Sequence, residues 1–204
     1  MKTHFNSHEK LQAGLAAMQL LLSIDQQSQL IAYLTLLQKW NKTYNLTAIT
    51  DFEKMIAYHA LDSLSVAPYI TGNTIVDVGS GAGLPGIPLA IYFPEKQFTL
   101  IDSVGKKTRF ISQAVRELKL QNVHVIHGRA EACPTQQGFD TMIARAVASI
   151  ETLVSISKIL LKSSGHLLMM KSDVLEVESL SDAYQVIPLT VPGIDAKRSL
   201  IILQ

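Results

Sequence analysis

An α/β fold on a mostly parallel sheet is what this sequence predicts, and three observations predict it. Apolar residues recur at helical spacing up to about Ile70, and from Thr74 onward short apolar runs alternate with longer helical segments. A glycine-rich turn, residues 79–86, lies between the first of those runs and the helix after it. Two strand-like runs close the chain around Pro192-Gly193.

In the first part, Leu30, Tyr33, Leu34, Leu37 and Trp40 fall on one face of an amphipathic helix. Thr50-Asp51-Phe52-Glu53 reads as a capping box that opens a helix running to Pro68, with Met55, Ile56, His59 and Leu64 on its apolar face. Residues 41–50, rich in Asn and Thr, read as a loop. Strands are then expected at 74–78, 97–101, 122–126, 140–144 and 166–170, with helices at 86–93, 105–120 and 150–161. Such alternation means βαβ units and a parallel sheet covered by helices on both faces. Residues 184–191 and 198–203 add an antiparallel hairpin, for seven strands in all. The expected division is a helical extension at 1–70 packed on a core domain at 71–204.

Composition narrows the function. The chain has 204 residues, 48% hydrophobic and 17% charged, which excludes a disordered protein and gives enough length for one unstapled core. The single cysteine, Cys133, excludes a disulfide framework and a cysteine-based zinc site, and no metal is expected. Met1 to Lys10 has no apolar core of a signal peptide, and the apolar stretch 11–24 is broken by Gln12, Gln19 and Ser23. A cytoplasmic protein with no membrane partner is expected. Eighteen basic against seventeen acidic residues argue against coating nucleic acid by bulk charge, which scales with the phosphates neutralised.

The densest signal is Val76-Asp77-Val78-Gly79-Ser80-Gly81-Ala82-Gly83-Leu84-Pro85-Gly86. Glycines between a strand and a helix permit a sharp turn and a close ligand approach, although a tight βα turn in any α/β protein uses them too. Gly81, Gly83 and Gly86 match the dinucleotide pattern literally. The strand end, however, is Gly79, and in that register Leu84 takes the place of the glycine that lets helix and strand pack closely. Asp77 before Gly79 resembles the first motif of S-adenosylmethionine-dependent methyltransferases. Asp102, at the end of the second strand, is placed to accept both ribose hydroxyls of an adenosine and serves either cofactor class. Ala130-Glu131, after the third strand, supplies a third point of the same pocket.

The whole chain resembles the bacterial 16S ribosomal RNA guanine-N7 methyltransferases, a family first called glucose-inhibited division protein B. The resemblance rests on Lys39-Trp40-Asn41, Tyr44-Asn45-Leu46-Thr47, His59 with Asp62-Ser63, residues 76–88, Asp102-Ser103, Gly105-Lys106-Lys107, Arg145-Ala146 and Lys171. It implies a Rossmann-like class I fold and transfer of a methyl group from S-adenosylmethionine to N7 of one guanine in the decoding-region loop of 16S rRNA. It also implies cofactor contacts at Gly79, Leu84, Ala130, Glu131 and Arg145. Gly81, Gly83 and Asp102 join that set from the turn and the strand end.

The residues fit such chemistry. After the fourth strand the chain reads Ile143-Ala144-Arg145-Ala146-Val147, without the Asn/Asp-Pro-Pro-aromatic motif of amino-group methylation. Cys133 precedes Pro134 in a loop and is an unpromising nucleophile for C5 methylation of pyrimidines. Guanine N7 carries a lone pair and no proton, so no catalytic acid or base is assigned and orientation is left as the main source of rate. N7 lies on the edge that A-form RNA hides in a deep groove, which predicts an unpaired guanine. Between Asp102 and Glu131 six basic side chains stand against three acidic ones. Lys106, Lys107, Arg109, Arg145, Lys171 and Arg198 are the expected RNA contacts. The expected partner is 16S rRNA within an assembled or assembling small subunit, met by a monomer. Two other readings stay open: a small NAD(P)-dependent oxidoreductase, which lacks a Tyr-x-x-x-Lys pair here, and a non-catalytic RNA-binding module.

Overall fold

The computed structural model describes residues 2–133, 137–145, 148–172 and 183–204, with side chains from residue 7 onward. Three helical segments come first: α1 (Lys2–Ala17), α2 (Ile24–Tyr44) and α3 (Phe52–Met55). The last widens into a π-helical turn (Ile56–Leu61) and regains α geometry in α4 (Asp62–Leu64). Ser23 caps α2 and forms a reciprocal capping box with Gln26. The helix overruns the expected loop by four residues and stops where Asn45 turns left-handed at φ 48°. At α3 the cap is Asp51, whose Oδ1 accepts the Lys54 amide at 2.8 Å, so Thr50 is one residue early. Glu53 is drawn away from the expected capping box by Ser7 and Lys10 of α1.

The sheet comprises β1 (Thr74–Val78), β2 (Gln97–Asp102), β3 (Val123–His127), β4 (Phe139–Arg145), β5 (Leu161–Lys171), β6 (Tyr184–Pro188) and β7 (Ser199–Leu203). Between the strands run α5 (Gly86–Tyr92), α6 (Gly105–Glu117) and α7 (Ile150–Leu160). The seven strands are ordered β3-β2-β1-β4-β5-β7-β6. β1 to β5 are parallel, and β7 runs antiparallel between β5 and β6. That is the expected class of sheet, with its antiparallel hairpin. The main boundary error is β5, expected from His166 and found from Leu161. Its first residues, Lys162-Ser163-Ser164-Gly165, are too polar to read as a strand, yet Leu161 pairs with Phe139 across an irregularity in β4.

Side chains alternate between two cores, as the pleat requires. Ile75, Ile143, Leu168, Met170 and Leu200 face one side and share a single cluster with Leu30, Leu34, Leu37, Leu61 and Leu64 of the N-terminal helices, with α5 and with α6. Val76, Val78, Met142, Ala144, Leu167, Met169 and Ile201 face the other and meet Ile150, Leu153, Ile156 and Leu160 of α7. Among the described residues no helix is long and apolar enough to cross a membrane.

Candidate functional site

The carboxyl ends of β1, β2 and β4 open on a cavity of about 520 Å³, within the range usual for small-molecule sites. The turn after β1 forms its floor. Gly79, Gly81 and Gly83 all have positive φ, 67°, 60° and 85°. The turn is anchored to the sheet by Gly79 and Ser80, whose amides donate to the Ile101 carbonyl at 2.8 and 3.1 Å. From the opposite side the buried Tyr33 hydroxyl donates to the Ala82 carbonyl at 2.7 Å. Burial pushes that phenol well above its ordinary pKa, so Tyr33 remains a donor at all working pH values.

Asp102 is buried in the wall. Its Oδ2 accepts the Gly81 amide and its Oδ1 the Val104 amide, both at 2.8 Å, while Lys107 Nζ stands 3.7 Å from Oδ2. A carboxylate oxygen can accept a second hydrogen bond, so each still has a lone pair for a ribose hydroxyl. Gly81 completes the fit, because a Cβ there would meet nothing nearer than the Gly79 carbonyl at 3.9 Å and would occupy cavity space. Ala130 and the exposed Glu131 also border the cavity. These residues suit an adenosyl group carrying no phosphate.

Asp77 decides against the dinucleotide reading. It is fully buried, and its Oδ2 accepts the Gly86 amide, the first of α5, at 2.8 Å. A pyrophosphate needs free amides at that helix start. Here a carboxylate occupies the place, and the Ile87 amide is already bonded to Gly83. Burial, opposed by the Gly86 amide and by Arg145, pushes the Asp77 carboxyl up to about 7. The unfolded chain therefore binds fewer protons here than the folded one between about pH 4 and 7, and this group's contribution to stability falls as pH rises through that window. His59 has the opposite sign, since burial and Arg145 lower it to about 4. A variant difference separates them: the unfolding free energy of Asp77→Asn minus that of the wild type should grow from pH 4 to 7 and then level off in denaturant melts. A flat difference would contradict the assignment.

A second cavity of about 310 Å³ adjoins the first, and Arg145 borders both. Tyr58, His59, Asp62, Lys171 and Arg198 line the second. Asp62 takes Arg145 Nη1 on Oδ2 at 3.1 Å and Arg198 Nε on Oδ1 at 3.0 Å. Arg145 Nη1 also donates to the Tyr58 carbonyl, and the Arg198 guanidinium lies 6.0 Å from the Tyr58 ring centre. His59 is buried, with Nδ1 3.0 Å from the Tyr58 carbonyl and Nε2 3.0 Å from Thr47 Oγ1. Lys171 Nζ donates to the Ala148 carbonyl at 3.1 Å.

The structure thus brings Gly79, Gly81, Leu84, Asp102, Ala130, Glu131 and Arg145 to one cavity. Gly83 does not line it. A Cβ at Gly83 would come within 2.6 Å of Ile87 Cγ1, so this glycine serves the turn. Of the expected RNA contacts, Arg145, Lys171 and Arg198 gather at the second cavity, whereas Lys107 faces the first beside Asp102. Lys106 reaches back to the Tyr44 carbonyl, and Arg109 Nε bonds to the Gly105 carbonyl on the exposed face of α6. Cys133 is buried among Ala130 and Ile150 neighbours, with its thiol pKa raised by burial. Pro134, Ala146 and Val147 lie outside the described residues. Asp62, Leu46 and Thr47 stand out in the sequence only as residues of the family resemblance, without a role, and Tyr58 does not stand out at all. Leu46 and Thr47 wall the first cavity from the α2–α3 connection, and Asp62 meets partners 83 and 136 residues away.

Comparison with known proteins gives this geometry its family. A family model described as GidB, rRNA small subunit methyltransferase G, matches residues 26–201. Ribosomal RNA small subunit methyltransferase G of Marinobacter nauticus is 52% identical over 199 residues, 95% of this chain and 93% of that protein. The protein of the same name from Hydrogenovibrio crunogenus is 51% identical over 179 residues, 85% of this chain and 83% of that one. The fold is that of Aeropyrum pernix fibrillarin solved with natively bound S-adenosyl-L-methionine, at TM-score 0.51 and 16% identity, covering 67% of this chain and 68% of that one. With its cavity at the carboxyl rim of such a sheet, this chain belongs to the rRNA small subunit methyltransferase G family.

Proposed function

We propose that the first cavity holds S-adenosylmethionine, with the ribose on Asp102 and the adenine end at Ala130 and Glu131. The second then receives a guanine of 16S rRNA, which is methylated at N7. The observation that carries this is the common wall: Arg145 borders both cavities, so a donor in one and a base in the other meet across a single side chain. When bound, S-adenosylmethionine supplies a sulfonium methyl, so the N7 lone pair forms the N–C bond as the C–S bond breaks, its electrons staying on sulfur.

The residues around the second cavity favour N7 over an amino group. Methylating an amine requires a proton acceptor. His59 has both ring nitrogens engaged, and Asp62 has a guanidinium on each oxygen. No proton leaves guanine when N7 attacks, so neither group needs to act as a base. Orientation is then the main contribution of the chain, and well-placed reactants can supply roughly 7–11 kcal/mol. Arg145, Arg198 and Lys171 provide donors for the O6 side and for backbone phosphates. Since N7 is hidden in A-form helices, the target is an unpaired guanine. The near-zero net charge favours a preformed ribonucleoprotein surface over naked RNA, met in the cytoplasm by a monomer.

Labelled methyl transfer to small subunits and to protein-free 16S rRNA tests this reading, with the modified base located by cleavage at N7-methylguanine. One guanine should be labelled, faster in subunits. Label on an exocyclic amine or a ribose would overturn the N7 reading, and equal rates on both substrates would overturn the ribonucleoprotein one. Lys171→Ala should leave the Kd for S-adenosylmethionine within about twofold and lower kcat/KM for RNA by roughly 10-fold or more, the range for one hydrogen bond to a charged group.

A further inference from the structure

Asp62 is 4% exposed in the wall of the second cavity, and each of its oxygens accepts a bond from an arginine. Its two partners come from different parts of the fold. Arg145 ends β4, and Arg198 stands just before β7. The carboxylate itself is delivered by the π-helical turn, whose wider backbone lets the Asp62 amide reach the Ala57 carbonyl five residues back. Such widened turns recur at functional sites.

Each arginine carries several rotatable bonds, and an untethered guanidinium samples many orientations. Arg145 and Arg198 instead share one carboxylate, Nη1 of the first and Nε of the second, and the Tyr58 carbonyl holds Arg145 as well. We propose that Asp62 is a positioning residue for methyl transfer, fixing the Arg145 and Arg198 guanidiniums so that an entering guanine presents N7 toward the first cavity. This rests on the reading of the second cavity as the acceptor site. Charge gives Asp62 a second part. Methyl transfer removes a positive charge from sulfur and places it on the base, toward a wall that carries Arg145, Arg198 and Lys171. Among the described residues lining that cavity Asp62 is the one acidic side chain, and it offsets part of that cationic wall.

Asp62→Asn tests the idea, because it keeps the size and one acceptor but turns an N–H group toward the other arginine. With active sites counted by S-adenosylmethionine binding, kcat on small subunits should fall by on the order of 100-fold, the cost of misplacing a reacting group by about 1 Å. The Kd for S-adenosylmethionine should stay within about threefold. In an Arg198→Ala background the same change should cost far less than it does alone, since residues acting through one another are not additive. A purely structural ion pair would lower Tm and the yield of binding sites but leave turnover per site near the wild-type value, and that result overturns the proposal. Arg198→Lys guards against misfolding of Asp62→Asn: it retains the charge and loses the Nε bond, so full turnover per site in that variant also overturns it. Should the wild-type enzyme methylate some atom other than guanine N7, the acceptor reading itself fails. Should it methylate N7 while Asp62→Asn turns over normally, only the role of Asp62 fails.

Discussion

Replacing Asp102 by alanine is expected to weaken S-adenosylmethionine binding by on the order of 100-fold or more, with little change in the overall fold. In the proposed reading the carboxylate accepts two ribose hydroxyls, and a hydrogen bond to a charged group is worth about 1.5–3 kcal/mol. Two of them span roughly two to four powers of ten in Kd, at 1.4 kcal/mol per tenfold. The substitution also removes the acceptor for the Gly81 and Val104 amides, so the glycine turn loses a tether on its cavity side. Asp102→Asn retains one acceptor oxygen and should fall between the two. Calorimetric titration with S-adenosylmethionine decides the matter: an Asp102→Ala protein that binds within tenfold of the wild type would show that the adenosyl site lies elsewhere.

Gly86→Ala should instead be felt in folding. A Cβ at this position would lie 2.7 Å from Asp77 Oδ2 and 2.8 and 2.9 Å from Leu100 carbons, all of them buried. Overpacking of this kind costs about 1–3 kcal/mol. Disturbing the bond between the Gly86 amide and the buried Asp77 carboxyl adds roughly 1–3 kcal/mol. For a domain of this size each kcal/mol moves Tm by roughly 2–4 °C, so a fall on the order of 10 °C is expected in circular-dichroism melts. Gly81→Ala is the contrast. It meets no atom within 3.4 Å, so its melting temperature should fall less while its affinity for S-adenosylmethionine falls more. A Gly86→Ala protein melting within 3 °C of the wild type, as marked here by roughly one kcal/mol, would mean that Asp77 and α5 are not packed as described.

How much of this was legible in the sequence follows from the range of the interactions concerned. The strand–turn–helix around Gly79 is local, and its chemistry is written in adjacent residues, so both the fold class and most of the first cavity could be read directly. Asp102 and Glu131 were legible because parallel strands place their carboxyl ends side by side. The start of β5 was hidden because Lys162-Ser163-Ser164 carries no apolar alternation, and its pairing depends on Phe139 from another strand. Asp62 was visible as a motif residue, but its role was hidden for the same reason on a larger scale. Nothing near it in the chain reveals that two arginines, 83 and 136 residues later, converge on it. Lys106 and Arg109 show the converse: local basic density picks them out but says nothing of the Tyr44 and Gly105 carbonyls that they bond.

Leu46 and Thr47 help to wall the first cavity from the same N-terminal segment whose leucines fill one face of the sheet. A minimal catalytic fragment cannot therefore be cut from this chain at the first strand. Deleting everything before β1 would strip a greasy surface bare and remove Leu46 and Thr47 from the cavity wall in one stroke, so truncation should yield aggregates in place of a smaller enzyme.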